Sequence, residues 1–231
     1  MILENRVILI TGAKGGLGSY VTNAFLAAGA TVAGSSRSIQ QSDFDHPRFT
    51  AIPAELSSRD AAETLAAETV ARHGRIDAAV HLLGGFAGGA TVADSDDATL
   101  DQMFDLNFRS LFHIARAVLP GMRSRHAGAL LAIGSRTAVE PQPGLGLYSA
   151  SKAALISLMQ TIAKENAASG ITANVILPGT LDTPANRRAM PDADTSKWAQ
   201  PGQIASLLVH LASGQATQLS GAVIPVYGGE V

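Results

Sequence analysis

Cysteine is absent from this sequence, and charged and aromatic residues are scarce. With no cysteine among 231 residues, the chain has no disulfide framework, no thiolate nucleophile and no cysteine-based zinc site. Charged residues make up only 16% and the formal net charge is −2, so there is no basic footprint for nucleic acid or for an anionic membrane surface. Uninterrupted apolar runs all fall short of the roughly 18 residues that cross a bilayer. We therefore expect no nucleic-acid partner and no membrane partner.

Two further features are missing. The first ten residues carry Glu4, Asn5 and Arg6, which is not the layout of a cleaved signal peptide, so a cytoplasmic location is expected. The six histidines form no His-x-x-x-His pair, and the acidic run 94–97 lacks the many spaced oxygen ligands of a calcium loop. We expect no metal site, and we interpret the acidic run as capping of the helix that follows it.

Short aliphatic runs alternate with segments of helical period along the whole chain. The predicted strands are 6–11, 31–35, 48–52, 76–83, 129–134, 172–177 and 222–226. The predicted helices are 16–28, 59–73, 100–125, 147–169 and 201–212. Several strands are apolar at consecutive positions, as strands covered on both faces should be. This rhythm predicts an α/β fold, a doubly wound (Rossmann) parallel sheet of about seven strands with helices on both faces, in one domain over residues 1–231.

The least regular stretch, 179–200, follows the sixth predicted strand. In a doubly wound fold that is the carboxyl edge of the sheet, where ligands bind. The segment is therefore a candidate substrate lid, and an ordinary surface excursion is the alternative.

A glycine-rich turn joins the first strand to the first helix. Gly12, Gly16 and Gly18 are spaced Gly-x-x-x-Gly-x-Gly, which lets the backbone approach a pyrophosphate at a helix N-terminus. This is neither the commonest dinucleotide fingerprint nor a P-loop. A tight strand-to-helix turn explains the glycines equally well.

The end of the second strand bears on which cofactor such a turn would hold. Ser36 and Arg37 stand there, where an NAD-binding fold usually has an acidic residue, and an arginine suits a 2′-phosphate. Lys14 could add a second positive charge. These residues favour NADP(H) over NAD(H), with a solvated surface position for Arg37 as the alternative.

Three hydroxyl- or amine-bearing side chains could carry proton chemistry. Tyr148 and Lys152 lie four residues apart in a predicted helix, which places them on one face. A tyrosine titrates near 10 when unperturbed, and a neighbouring ammonium lowers that value. Ser135 follows the fifth strand and could hold a carbonyl oxygen, although a serine in that position is usually a cap or turn residue.

Together these residues resemble the short-chain dehydrogenase/reductase family. The shared motifs, in order along the chain, are the loop from Thr11 to Gly18, Asn107, Ser135, Tyr148, Lys152, and Pro178-Gly179 followed by Thr183. The resemblance implies that Tyr148 is the proton donor, that Lys152 lowers its pKa and holds the nicotinamide ribose, and that Ser135 orients the substrate oxygen. It implies that Asn107 completes the set through a water relay.

The resemblance also extends the cofactor site. The predicted cofactor-binding residues are Gly12, Lys14, Gly16, Leu17, Gly18, Ser36, Arg37, Glu55, Leu56, Gly84, Gly85, Tyr148, Lys152, Pro178, Gly179 and Thr183. A small-molecule substrate is implied, with a homodimer or homotetramer built on helices 100–125 and 147–169. An apolar stripe on the first of these belongs either to the core or to that interface. It comprises Met103, Phe104, Phe108, Leu111 and Phe112.

One departure bears on the substrate. The family usually has Asn-Asn-Ala-Gly after the fourth strand, whereas this chain has Leu82-Leu83-Gly84-Gly85-Phe86, so the asparagine hydrogen bonds are replaced or absent. A Gly-Gly-aromatic turn resembles the dihydropteridine reductase subgroup, as do the residues from Leu177 to Trp198. Phe86, Met190 and Trp198 are the substrate candidates. Ser135 and Arg37 differ from that subgroup and favour a carbonyl substrate and NADPH.

Three hypotheses follow. The first is an NADPH-dependent carbonyl reductase. The second is an enzyme similar to quinonoid dihydropteridine reductase. The third is a non-catalytic NADP-binding sensor or scaffold, which would not need the complete set of four catalytic candidates.

Overall fold

Seven strands form one parallel sheet in the computed structural model, which describes residues 1–229. The strands are β1 (Val7–Thr11), β2 (Thr31–Ser35), β3 (Phe49–Ala51), β4 (Ala78–His81), β5 (Gly128–Ile133), β6 (Ile171–Pro178) and β7 (Val223–Val226). Their order is β3-β2-β1-β4-β5-β6-β7, and every neighbouring pair is parallel. The predicted doubly wound sheet is confirmed. The last two residues of the predicted domain, 230 and 231, lie outside the described part of the chain.

Helices cover both faces of this sheet. They are α1 (Gly16–Ala27), α2 (Arg59–His73), α3 (Asp97–Phe104), α4 (Ser110–Ser124), α5 (Gly146–Asn166), α6 (Pro184–Ala189) and α7 (Pro201–Ala212). One apolar core joins the sheet to α2, α4 and α5, and a second joins it to α1 and α7. Along β1, Leu9 belongs to the first core while Ile8 and Ile10 belong to the second, because successive side chains of a strand point to opposite faces. Strands buried on both faces explain the continuous apolar runs.

The strand order reverses direction between β1 and β4. From β1 the chain moves outward to β2 and β3, and it then returns to place β4 on the other side of β1. In the register of that pair Thr11 lies opposite His81, at the carboxyl ends of both strands. Such a switch point opens a crevice at the carboxyl edge, which is where ligands bind in doubly wound sheets.

The predicted helix 100–125 begins earlier and is not uniform. It starts at Asp97, where the carboxylate of Asp96 accepts a hydrogen bond from the Thr99 amide at 2.7 Å, so the acidic run caps the helix. A π-helical segment, Asp105–Arg109, then separates α3 from α4. Segments of this kind insert an extra residue into one turn and are frequent at functional sites.

Other boundaries move by a few residues. The predicted strand 76–83 is shorter in the structure, where β4 covers Ala78–His81, and the Leu82 amide still donates to the Thr11 carbonyl of β1 at 3.1 Å. The irregular segment 179–200 contains α6, whose first turn is capped by the Thr183 hydroxyl and begins with Pro184. A proline is favoured in that position because its missing amide is one that the helix leaves unpaired. Among residues 1–229, no helix is long and apolar enough to cross a membrane.

Candidate active site

The turn between β1 and α1 requires its glycines for steric reasons. Gly12 has a φ of +70°, and a Cβ atom there would lie 2.9 Å from the backbone of Leu82. A Cβ atom on Gly18 would lie 2.0 Å from the carbonyl oxygen of Gly12. The first glycine thus packs β1 against the turn after β4, and Gly18 brings the start of α1 down onto the loop.

A cavity of about 550 Å³ opens beside this turn at the carboxyl edge. Its size is within the range of small-molecule and cofactor sites. The predicted cofactor residues that line it are Gly12, Lys14, Ser36, Arg37, Glu55, Leu56 and Gly84. The hydroxyls of Ser35 and Ser36 are buried at this cavity and have no hydrogen-bond partner within residues 1–229. Buried polar atoms are normally satisfied, so these two hydroxyls suit a ligand with hydroxyl or phosphate oxygens.

The positive charges at this end of the cavity differ in their surroundings. The Lys14 ammonium contacts the carboxylate of Asp43 at 2.8 Å and lies 3.4 Å from the carbonyl oxygen of Ser38. Arg37 is exposed at the rim, and no ion pair to it is found in the described part of the chain. The residues present therefore fit an adenosine ribose that carries a 2′-phosphate.

The remaining cofactor candidates lie around the other end of the glycine turn. Leu17 and Gly18 are buried in the first turn of α1, and the Thr183 side chain lies 3.5 Å from where a Cβ atom of Gly16 would be. Pro178 ends β6, and the Gly179 amide donates to the Val226 carbonyl of β7 at 3.2 Å. The start of the 179–200 segment is therefore fixed against the glycine turn.

Ser135 and Tyr148 are brought together across two elements. Ser135 follows β5, and Tyr148 lies in the first turns of α5. Burial raises the pKa of Tyr148, and a hydrogen bond with the Ser135 hydroxyl acts in the opposite direction. The Ser135 oxygen also accepts the Thr137 amide at 3.3 Å and lies 3.0 Å from the Thr137 hydroxyl. Ser135 therefore caps a short 3-10 turn, as such a serine usually does, and its hydroxyl also faces the phenol.

Lys152 lies one helical turn after Tyr148 and is almost completely buried. Its ammonium donates to the Ile133 carbonyl of β5 at 2.9 Å. Burial lowers the pKa of Lys152 to about 8, because a charged amine loses its hydration away from water. The amine therefore remains charged at neutral pH and approaches neutrality only above it.

Asn107, in the π-helical segment, connects the turn after β4 to α5. Its side-chain oxygen accepts the Gly85 amide at 2.9 Å, and its side-chain nitrogen donates to the Gly85 carbonyl at 3.1 Å. That nitrogen also donates to the Ser151 hydroxyl at 3.0 Å, which in turn donates to the Tyr148 carbonyl at 2.7 Å. A Cβ atom on Gly84 would come within 2.8 Å of the Asn107 side chain and 3.2 Å of the Lys152 amine.

His81 belongs to the same edge and is not among the residues that the sequence predicts. One ring nitrogen lies 2.9 Å from the Thr11 hydroxyl of β1, and the other lies 3.1 Å from the Ser110 hydroxyl of α4. Burial lowers the pKa of His81 to about 3, and the nearby charge of Lys152 acts in the same direction. Asn107 thus holds the turn that lacks the usual asparagines, and the neutral imidazole joins the end of β4 to β1 and α4. In the sequence, His81 is marked only by its position directly before Leu82-Leu83. Its hydrogen-bond partners lie 70 and 29 residues away along the chain.

The three substrate candidates are placed differently. The Phe86 ring lies edge-on to the Tyr148 ring, with centroids 5.1 Å apart, and Phe86 is 68% exposed. Met190 is 40% exposed after the end of α6, whereas Trp198 is only 5% exposed. Phe86 is therefore in contact with the tyrosine. Within the described residues no group of three potential metal ligands is found.

The strand order and the cleft at the carboxyl edge define an α/β protein of the doubly wound class. The family profile described as short chain dehydrogenase matches residues 6–194. The chain is 28% identical over 246 residues to the 3-oxoacyl-[acyl-carrier-protein] reductase FabG of Thermotoga maritima, covering 100% of both chains. It is 32% identical over 241 residues to the acetoacetyl-CoA reductase of Shinella zoogloeoides, covering 98% of each. The solved structure of ElxO with NADP bound shares the fold, with a TM-score of 0.91 and 21% identity over 97% of this chain and 98% of that one.

This chain therefore belongs to the short-chain dehydrogenase/reductase family, and it is an oxidoreductase. The family resemblance predicted from the sequence is confirmed. An enzyme is favoured over a non-catalytic sensor or scaffold, because the two relatives named above are reductases and match nearly the whole chain.

Proposed function

We propose that this enzyme reduces a carbonyl compound with NADPH, through a site made of Tyr148, Lys152 and Ser135 with Asn107 behind it. The observation that carries the proposal is that the Ser135 hydroxyl faces the Tyr148 phenol, one helical turn from the buried Lys152. Two hydroxyls that face each other can both approach the oxygen of a bound carbonyl.

When bound, the nicotinamide would supply the hydride. Tyr148 gives its hydroxyl proton to the substrate oxygen, and burial keeps the phenol protonated at neutral pH until then. Ser135 donates a hydrogen bond to the same oxygen as negative charge develops on it. The Lys152 ammonium stabilises the phenolate that remains, because an opposite charge nearby favours the ionised form. Asn107 fixes the helix turn that carries Tyr148, through Ser151.

The cofactor would lie across the cavity with its pyrophosphate at the glycine turn. Gly12, Gly16, Leu17 and Gly18 would hold the pyrophosphate, and Pro178, Gly179 and Thr183 the nicotinamide. Glu55 and Leu56 would contact adenine, with Gly84 and Gly85 along the opposite wall. The choice of NADPH rests on Arg37, on Lys14 and on the two serine hydroxyls without partners. The same fold holds NADP in ElxO.

The substrate would be a small molecule with a true carbonyl group. The two relatives named above act, by their names, on 3-oxoacyl and acetoacetyl groups, and both groups carry a ketone. Segment 179–200 would act as the substrate lid, with Met190 and Trp198 as its contributions to the site. The two ends of this segment are held together, because Leu181 and Ala199 form a parallel bridge.

Phe86 favours a second candidate function, that of a quinonoid dihydropteridine reductase. An exposed aromatic ring in edge contact with the Tyr148 ring provides a wall for a planar, conjugated substrate. The two candidates differ in the group that is reduced, and they use the same proton donor.

We further propose a cytoplasmic homo-oligomer built on the α3–α4 helices and on α5. Phe104, Phe108 and Phe112 lie partly exposed on the outer side, while Met103 and Leu111 of the predicted stripe are buried in the protein. The exposed part of the stripe is therefore left for a second copy of the chain.

Tyr148→Phe tests the mechanism. Initial rates are measured with NADPH and NADH on a panel of 3-oxoacyl thioesters, simple ketones and quinonoid dihydropterin. We expect the variant to lose at least about 100-fold in kcat, a typical contribution of a general acid, while the Kd for NADPH measured by fluorescence stays within about twofold. Ser149→Ala, which alters a neighbouring hydroxyl, is the matched control and should keep its activity.

The panel also separates the two candidates. Turnover of ketones without dihydropterin supports the carbonyl reductase, and the reverse supports the second candidate. A Tyr148→Phe enzyme with wild-type kcat on every substrate would rule out the proposed proton donor.

A further inference from the structure

The Lys14–Asp43 ion pair lies at the end of the cavity where the proposed 2′-phosphate would bind. Lys14 lines this cavity together with Ser36, Arg37 and Ser38. Asp43 stands in a 3-10 turn, Gln41–Asp43, in the connection between β2 and β3. One carboxylate oxygen contacts the Lys14 ammonium at 2.8 Å, and the other accepts the Gln40 amide at 2.8 Å.

This arrangement puts the negative charge of Asp43 next to Lys14, the cation that the proposed 2′-phosphate would also contact. The Asp43 carboxylate is only 20% exposed, and each of its oxygens has a partner. Moving it away from Lys14 would therefore break at least one of these two contacts. A phosphate that accepted a hydrogen bond from Lys14 would lie roughly 6 Å from that carboxylate, since both would contact one ammonium. Arg37 is then the only cation at this rim, among the described residues, that is not already in an ion pair.

We propose that Asp43 is a specificity-determining residue that weakens recognition of the 2′-phosphate by holding Lys14, and so moderates the preference for NADPH over NADH. The proposal rests on the proposed function, because it assumes that the adenosine half of the cofactor lies in this cavity. Asp43 touches neither the nicotinamide end nor Tyr148, so it acts on nucleotide choice and leaves the chemical step unchanged.

Its effect on binding follows from the charges. A phosphate monoester carries about −1.5 to −2 at neutral pH. Removal of a unit negative charge roughly 6 Å away, in surroundings close to water, corresponds to a change of about threefold to tenfold in a dissociation constant. A ligand without that phosphate should respond much less. Because both side chains are partly exposed, the effect should shrink at high salt.

Asp43→Asn is the test, since asparagine keeps the shape and an acceptor for the Gln40 amide. The Kd values of adenosine 2′,5′-bisphosphate and of 5′-AMP are measured by isothermal titration calorimetry, at about 0.05 M and 0.5 M salt. We expect the variant to bind the bisphosphate about threefold to tenfold more tightly at low salt and to bind 5′-AMP within about twofold of the wild type. Asp45→Asn, which removes an exposed carboxylate two residues away in the same connection, is the control for net charge.

The outcomes separate this inference from the cofactor assignment. If the wild-type enzyme binds the bisphosphate more tightly than 5′-AMP, the assignment of NADPH is supported; if it does not, that assignment is wrong. Tighter binding of the bisphosphate by Asp43→Asn, without the same gain in Asp45→Asn, supports the role of Asp43. Unchanged or weaker binding by Asp43→Asn in a folded protein overturns that role even where the wild type prefers the bisphosphate. If the asparagine variant does not fold, the same Kd values are measured for Asp43→Ala, which removes the same charge and has the same expected result.

Discussion

Burial sets the charge state of individual side chains at the carboxyl edge of the sheet. It raises the pKa of Tyr148, lowers that of Lys152 to about 8, and lowers that of His81 to about 3. At neutral pH these shifts leave a protonated phenol, a charged amine and a neutral imidazole. A charged imidazole would repel the neighbouring Lys152 ammonium, so the neutral form of His81 is the one that the site tolerates.

The low pKa of His81 makes the stability of the fold depend on pH. In the unfolded chain a histidine titrates near 6.5, so between pH 6.5 and 3 the unfolded state binds one more proton than the folded state. Stability from this group is therefore complete above pH 6.5 and is lost as the pH falls toward 3. At pH 5 the loss is about 2 kcal/mol relative to pH 7.

His81→Asn should remove that dependence. Asparagine reaches either Thr11 or Ser110 but not both, so we expect the variant to be less stable at pH 7 by about 1 kcal/mol. Its free energy of unfolding should fall by about 2 kcal/mol less than that of the wild type between pH 7 and pH 5. Urea unfolding at both pH values measures this, with the exposed His210→Asn as control. Parallel pH curves for wild type and His81→Asn would show that the imidazole is not held neutral.

Whether a candidate residue can be predicted from the sequence depends on how far along the chain its partners lie. The spacing of Tyr148 and Lys152 predicts one helix face, and the glycine spacing predicts the turn at β1, because both are local. His81 has its partners 70 and 29 residues away, and Asp43 contacts a lysine in another loop. The sequence pattern carries no information about these contacts, which arise only when β1 pairs with β4 and the β2–β3 connection folds back.

At the scale of elements, the helical period predicts long helices well and predicts their interruptions poorly. The pattern over 100–125 gives one amphipathic helix, whereas the structure has the π-helical segment at Asp105–Arg109. One extra residue in a turn changes the period too little to be visible in apolar spacing. The sequence does not predict the short helix α6, although Thr183-Pro184 is a typical helix start, because the surrounding prolines and mixed charges indicate a loop.

Two glycines in the first turns of helices should respond to alanine in opposite directions. A Cβ atom on Gly18 of α1 would lie 2.0 Å from a backbone oxygen, whereas a Cβ atom on Gly202 of α7 would meet nothing within 4 Å. We expect Gly18→Ala to destabilise the protein by about 1–3 kcal/mol through overpacking. Gly202→Ala should stabilise it by about 0.5 kcal/mol, since alanine loses less backbone entropy.

Thermal and urea unfolding of the two variants check this pair of predictions. Gly18→Ala should also lose NADPH binding, because its clash moves the loop that would hold the pyrophosphate. Equal stability of the two variants would mean that the turn between β1 and α1 relaxes around an added methyl group.

At the scale of the whole molecule, the outer face of the α3–α4 helices is the surface proposed for self-association. Phe112 is 36% exposed, and the guanidinium of Arg116 lies over its ring at 5.2 Å. We expect Phe112→Asp to shift the protein to a smaller species in size-exclusion chromatography with light scattering, because a carboxylate in an apolar interface has no partner. Val70→Asp, on the exposed side of α2 at 42% exposure, is the control and should keep the wild-type mass. A Phe112→Asp protein of unchanged mass would place the interface elsewhere.

The strand order has a consequence for how the chain assembles during synthesis. β2 and β3 add one after the other on one side of β1, and β4, β5, β6 and β7 then add in turn on the other side. Each new strand therefore joins an open edge, and none has to insert between two strands that are already paired. A ribosome that releases this chain from its N-terminus can extend the sheet without undoing earlier pairings. The four strands that frame the nucleotide half of the cleft, β1 to β4, have all emerged before the helix that carries Tyr148 and Lys152 has been made.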